Sequence, residues 1–206
     1  MRALAGLSSM LSASIATPST VVVEGVVRAM ARTNISASWA DTSLGPVLIA
    51  RSHRGICAIL FSDDRAETEA DLARRFPRAN LRPHRAAADR VITSVVNMIE
   101  APDQPYLLPL DLYGTPFRAR VWHALRAIPP GETRSYGALA RALALPTTAA
   151  RAIAGACAAN PLAVAVPCHR VVRADGQLSG YRWGLERKRA LLRREGVLRS
   201  KSHEGR

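Results

Sequence analysis

The chain opens with short apolar runs set off by turn residues and only later settles into longer periodic stretches. Ile35–Trp39, Pro46–Ala50 and Ile56–Phe61 are brief apolar or alternating runs. Gly45-Pro46 and His53-Arg54-Gly55 separate them, so the pattern predicts three strands in a meander. Asp63-Asp64 then offers the cap of a helix running to Arg75, with Leu72 and Phe76 on one face. Pro77 and Pro83 punctuate the next stretch. Ala86–Ile99 reads as a second helix, Ala101-Pro102-Asp103-Gln104-Pro105 breaks it, and Leu107–Leu112 reads as extended.

A second regime begins near Gly114. Thr115 stands at an N-cap position with Pro116 at the first helical position. Phe117, Val121, Leu125 and Ile128 recur on one helical face, and Pro129-Pro130-Gly131-Glu132 ends it. Ser135 introduces a short helix from Tyr136 to about Leu143, and Thr147 is expected to cap another over about Thr148–Ala159. Two short helices joined by a tight turn read as a helix-turn-helix or as an ordinary helical hairpin. The second helix is nearly free of bulk, with Ala149, Ala150, Ala152, Ala154, Gly155, Ala156, Ala158 and Ala159, and one long polar side chain, Arg151. A major-groove reader normally carries several such side chains. A helix this bare can approach a backbone closely, or pack tightly against another helix.

Composition adds a partner class. The 206 residues carry 29 Lys+Arg against 16 Asp+Glu, a net charge of +13, with 48% hydrophobic residues. That describes a folded protein with a basic face, for which nucleic acid is the commonest partner. An arginine-rich composition with merely solvated charges is the plainer alternative. Aromatic residues at 5% argue against a stacking platform for single strands. Three cysteines exclude a disulfide scaffold and a four-cysteine zinc site. No apolar run is long enough to span a membrane. Residues 1–33 are expected to be a disordered extension, since serines break the apolar stretch a signal peptide needs; residues 198–206 are expected to be a flexible tail.

The candidate chemistry lies late in the chain. Ala163–Val166 reads as a short buried strand leading into Pro167-Cys168-His169-Arg170 and Val171-Val172. A cysteine beside a histidine at a strand end is a candidate nucleophile, because the thiolate is the reactive form. Neighbouring side chains on a strand face opposite ways, so a bridging water or a bend would have to connect the two. An inert core cysteine is the alternative. Cys57 reads as a core strand residue and Cys157 as a packed one. His53, His84, His123 and His203 read as surface or core positions.

The string Asn160-Pro161-Leu162-Ala163-Val164-Ala165-Val166-Pro167-Cys168-His169-Arg170-Val171-Val172 closely resembles the active-site signature of the O6-alkylguanine-DNA alkyltransferases, also called methylated-DNA–protein-cysteine methyltransferases. Asp175-Gly176-Gln177-Leu178-Ser179-Gly180-Tyr181-Arg182-Trp183-Gly184 and Arg187-Lys188…Leu191-Leu192-Arg193-Arg194-Glu195 extend the likeness. It runs from about Ile35 to Gly196 and is nearest to the C-terminal half of the bacterial adaptive-response branch. The resemblance implies an α/β (α+β) chain: a small ribonuclease-H-like antiparallel-sheet domain over 35–108, then a mostly helical domain with a helix-turn-helix over 109–197.

The resemblance further implies single-turnover DNA repair. Cys168 would take the alkyl group from O6-alkylguanine in double-stranded DNA, with O4-alkylthymine as a further candidate. His169 would deprotonate it through a water, Glu195 would orient His169, and the carboxylate would favour an imidazolium that in turn favours the thiolate. Tyr136 would donate to guanine N3, and Asn160 would hold the turn before Cys168. Arg151 would fill the place of the flipped base in the minor groove, with Arg170 and Tyr181 also at the DNA. Val171, Tyr181, Arg182 and Trp183 would surround the base. No cofactor and no metal is expected, since His53 and Cys57 lack zinc-site spacing. The resemblance points to a cytoplasmic bacterial monomer with no membrane partner. Two rivals are a helix-turn-helix regulator without chemistry, against which the bare helix speaks, and a damage binder without repair, against which Cys168 speaks.

Overall fold

The computed structural model describes residues 33–84 and 89–198. The predicted extension before Thr33, nearly all of the predicted tail and Ala86–Ala88 of the second predicted helix lie outside the described residues.

Three strands form where the alternation places them: β1 (Asn34–Ala40), β2 (Val47–Arg51) and β3 (Ile56–Phe61). They pair antiparallel in sequence order. Gly55 closes the second turn under a close approach: a Cβ there would lie 2.4 Å from the Pro109 carbonyl oxygen. That carbonyl accepts from Ile56 N at 2.8 Å, and Asp111 N donates to Ile56 O at 2.9 Å. The Leu107–Leu112 segment therefore bridges to β3 at Leu110 without becoming a full strand.

The sheet has a fourth strand that the apolar pattern does not announce. β4 (Asn80–Pro83) pairs parallel to β1 and gives the order β3-β2-β1-β4, so a parallel edge strand joins the antiparallel meander. None of its residues is buried, which removes the apolar signal, and Pro83 is tolerated because the strand lies at an edge. α1 (Arg65–Arg75) is capped by Asp64, whose carboxylate accepts from Glu67 N. α2 (Arg90–Glu100) is capped by Asp89 and buries Ile92, Val95, Met98 and Ile99.

The second half is mostly helical. α3 (Pro116–Arg126) starts on its Thr115 cap. The two-residue β5 (Arg134–Ser135) leads into α4 (Tyr136–Ala142), capped by Ser135. α5 (Ala150–Ala158) follows, then β6 (Val171–Val172), parallel to β5, and α6 (Leu185–Arg194). α4 ends with Ala144 in the left-handed region at φ 53, Leu145 N donating to Ala140 O at 2.9 Å. Glycine is the usual residue in that position. The expected Thr147 cap is not made: Thr147–Ala149 form a 3-10 turn without a side-chain cap, and α5 begins after it. Pro146, extended at φ −63 and ψ 152, is the residue that launches this turn.

The buried Trp122 of α3 donates its indole N–H to Ala156 O at 2.9 Å and so holds α5 in place. One apolar core runs through both halves. Ile59 N donates to Pro161 O at 2.8 Å and Ala163 N donates to Ile59 O at 3.1 Å. The segment that leads to Cys168 is thus hung on β3.

Candidate functional site

That segment is a turn, where a strand is expected over Ala163–Val166. Pro161 and Pro167 bracket it, and Val164 sits at φ 64, a conformation that β-branched residues rarely adopt. The buried Asn160 side chain holds it from both ends. Leu162 N donates to Asn160 Oδ1 at 2.9 Å, while Asn160 Nδ2 donates to Val166 O at 2.8 Å and Leu162 O at 3.3 Å. The same Nδ2 lies 3.3 Å from Cys168 Sγ. One amide therefore fixes the strained turn and touches the sulfur.

Cys168–Arg170 form a 3-10 turn, so the three side chains fan out instead of alternating. All three are buried. His169 Nε2 lies 2.8 Å from Glu195 Oε1, and both side chains are fully enclosed. His169 Nδ1, also buried, has no hydrogen-bond partner among the described residues. Glu195 stands at the C-cap of α6 and is 7% exposed.

Arg170, expected at the DNA, is turned inward. Its Nη2 donates to Glu195 Oε1 at 2.9 Å and its Nε to Oε2 at 3.1 Å. It also donates to the carbonyls of Ile128 and Pro102. Burying the carboxylate beside His169 requires a compensating cation, and Arg170 supplies it.

The electrostatics differ from the expected imidazolium–thiolate pair. Burial holds His169 below the ordinary imidazole value despite the opposing Glu195 carboxylate. Burial pushes Glu195 up, yet the hydrogen bonds from His169 and Arg170 carry it below the usual carboxylate range. Burial pushes the Cys168 thiol up to about 11, against the Asn160 hydrogen bond and the Lys188 charge. Both shifts favour the uncharged forms at rest, a thiol and a neutral imidazole. Cys57 and Cys157 are buried too, and burial pushes Cys57 up to about 12.

Lys188 is the residue that sequence reading passes over. It is fully buried, and Nζ donates to Val171 O at 2.5 Å and Ser179 O at 2.6 Å. Its signal was available: it lies three and four residues before Leu191 and Leu192, on the apolar face of α6.

The remaining expected residues divide. Tyr136 is half-buried, and its hydroxyl accepts from Ser179 Oγ at 3.4 Å. Burial raises its pKa, which keeps the phenol a donor. Tyr181 stands edge-on to His169, with ring centroids 6.4 Å apart, and its hydroxyl has no hydrogen-bond partner among the described residues. Trp183 is buried edge-on against Phe61 and Tyr181, which makes it a wedge into the core more than a wall for a base. Arg182, expected near the base, is spent elsewhere: Nη2 lies 2.8 Å from Asp71 Oδ2 and Nη1 donates to Ala158 O at 3.3 Å. The Val171 carbonyl takes the Lys188 bond. Arg151 is exposed near the start of α5 and makes no hydrogen bond or ion pair with another described residue. The outward face of α5 is Arg151, Ala152, Gly155 and Ala158, and among the described residues nothing lies within 4 Å of where a Gly155 Cβ would be.

The structure thus encloses a thiol touched by an amide, with a phenol and a lysine near enough to couple to it electrostatically, and on the same turn an imidazole held by a buried carboxylate. Comparisons with known proteins give the relatives of the chain. A family model described as the 6-O-methylguanine DNA methyltransferase DNA binding domain matches residues 116–197. The chain is 53% identical over 156 residues to the bifunctional transcriptional activator/DNA repair enzyme Ada of Escherichia coli, covering 76% of this chain and 44% of that protein. It is 38% identical over 155 residues to a methylated-DNA–protein-cysteine methyltransferase of Mycobacterium leprae, covering 75% of this chain and 88% of that protein. The fold matches the crystal structure of Mycobacterium tuberculosis OGT in complex with DNA at a TM-score of 0.64 and 36% identity, covering 78% of this chain and 92% of that one. The chain spans less than half the length of the Ada proteins it matches.

Proposed function

The chain belongs to the O6-alkylguanine-DNA alkyltransferase family, and from that premise we propose that it repairs O6-alkylguanine in double-stranded DNA by moving the alkyl group onto Cys168. The observation that carries this reading is the joined set Asn160–Cys168 and His169–Glu195–Arg170, enclosed at the foot of a strained turn.

The step is an in-line displacement at the alkyl carbon. The bond from Cys168 Sγ to that carbon forms as the bond from carbon to guanine O6 breaks, and the electron pair leaves on the base. The thiol proton passes to His169 Nδ1 through a bridging water, and the Glu195 carboxylate stabilises the imidazolium that results. A neutral imidazole at rest suits a base of this kind. The Tyr136 phenol donates to N3 as charge builds on the departing guanine. Because the product is a thioether with no ready leaving group, each protein acts once.

A sulfur this enclosed cannot reach a stacked base, so the base must be flipped out. The bare outer face of α5 suits close approach along the minor groove, with Arg151 as the side chain that fills the vacated stack. Arg182 ties the loop that closes over the base to Asp71 of α1, and Tyr181 lies against the base. We read the protein as a monomer, and a free buried thiol nucleophile suits a reducing compartment such as the bacterial cytoplasm. The test is a single-turnover assay on a duplex with one O6-methylguanine. Restored guanine in amounts matching the protein supports the reading, and unchanged O6-methylguanine overturns it.

A further inference from the structure

Among the acidic and basic side chains buried around Cys168, Glu195 is matched by Arg170 and also holds His169, whose burial disfavours the cation. Lys188 on α6 is left over. Its side chain is fully enclosed, its ammonium rests on the Val171 and Ser179 carbonyls, and no carboxylate of a described residue lies within salt-bridge distance. Carbonyl dipoles can bind an ammonium but cannot cancel its charge, and an uncompensated buried charge is costly. The titratable groups that face it are Cys168 and His169 on the 3-10 turn and Cys157 on α5. Of these, Cys168 is the one that becomes an anion during the proposed reaction.

We propose that Lys188 is the counter-cation of the Cys168 thiolate: its buried charge lowers the cost of ionising the sulfur, and Val171, on the same turn as Cys168, fixes it there. This rests on the alkyl-transfer reading for its meaning, but the ionisation can be read without it. Burial brings Lys188 down to about 8, so the ammonium persists at neutral pH and waits for the anion. Transfer of the proton from thiol to imidazole then places a thiolate between two cations. Alkylation turns the thiolate into a neutral thioether and leaves Lys188 without its partner.

The experiment uses the full chain and two variants. Lys188→Met removes charge and hydrogen bonds together, while Lys188→Gln keeps N–H donors for the two carbonyls and removes only the charge. Cys168 labelling by iodoacetamide, a neutral electrophile that needs no base pocket, is followed by peptide mass spectrometry from pH 6 to 10. The single-turnover rate on methylated duplex is measured over the same range. Both variants are expected to label Cys168 about tenfold more slowly at pH 7.5, with the difference from wild type shrinking as Lys188 loses its own proton above about pH 8, and with the transfer rate falling in parallel. Labelling profiles that superimpose on wild type in either variant overturn the proposal; slowed transfer with unchanged labelling does so too, because Lys188 then only braces backbone. Should wild type accept no methyl group, the functional reading fails, and the labelling profiles still decide the role of Lys188.

Discussion

The sheet half and the helical half both bury apolar side chains but treat charge in opposite ways. Around β2 and β3 the interior is Val47, Leu48, Ile49, Ile56, Ile59 and Leu60, and the buried ionisable groups are Cys57 and Asp111, the latter bonded to Ser52 and Tyr113. Around Cys168 the interior holds Asn160, His169, Arg170, Lys188 and Glu195. Cys57 and Cys168 are similarly enclosed, yet Cys57 donates to the Ala50 carbonyl and lies in the field of the Asp111 carboxylate, which opposes a thiolate, while Cys168 faces an amide donor and a lysine charge, which favour one. Apolar burial stabilises a fold, whereas buried charge draws on that stability. The difference teaches where the molecule trades stability for chemistry, and it can be broken residue by residue.

The largest effect should come from exchanging the two cysteines. Cys168→Ala is expected to abolish methyl acceptance while leaving duplex binding intact. Cys57→Ala should retain acceptance within about twofold and cost about 1 kcal/mol, the scale of a small core deletion. Mass spectrometry after exposure to methylated duplex, with denaturant unfolding alongside, reads both. Acceptance surviving in Cys168→Ala would move the chemistry to another thiol.

Next comes the compensated pair. Glu195→Gln leaves Arg170 buried without its anion and should cost about 3 kcal/mol in stability while slowing transfer. Adding Arg170→Met to that variant should recover most of the stability and none of the rate. Recovery of both would show that Glu195 serves the fold alone.

The same pair fixes a pH dependence. Glu195 has a folded pKa below its unfolded value, so its contribution is complete above the unfolded carboxylate range and is lost as pH falls through the folded value. The stability gap between wild type and Glu195→Gln should therefore hold from pH 7 to about pH 5 and narrow below that, towards pH 3. A gap that stays constant would mean the carboxylate has the same affinity for protons in both states.

Smaller and more selective effects are expected on the open face of α5. Arg151→Ala should slow repair in duplex about tenfold or more and leave transfer from free O6-benzylguanine near wild type, since a free base needs no extrusion. Gly155→Leu meets open space, so it should raise stability by about 0.5–1 kcal/mol, the helical gain over glycine, while weakening duplex repair. Equal losses in both assays would place these residues in the fold or the site.

The contrast between the halves also explains what could be read from residues alone. Strands β1 to β3 and the caps Asp64, Thr115 and Ser135 were legible because alternation and capping act locally. β4 was not, since an exposed edge strand is held by backbone pairing and shows no apolar period. The Ala163–Val166 turn reads as a strand because its residues are apolar and partly β-branched; the hydrogen bonds of Asn160, which override that preference, come from a side chain outside the run. Cys168 and His169 were legible as a candidate nucleophile pair from their adjacency after an apolar run, while their detailed roles and Glu195 came through the family likeness. Arg170 and Lys188 were misplaced or missed because, among 29 Lys and Arg residues, a buried cation looks like a solvated one until its partner is seen.

The central claim is that one sulfur, Cys168, accepts the alkyl group and keeps it. The most direct measurement exposes the protein to excess duplex containing O6-methylguanine and follows intact mass and digested peptides over time. The account predicts a gain of about 14 Da, one methylene, that plateaus at one per protein and maps to the peptide carrying Cys168. Demethylation well beyond one equivalent of protein, or a methyl group on any other residue, would contradict it.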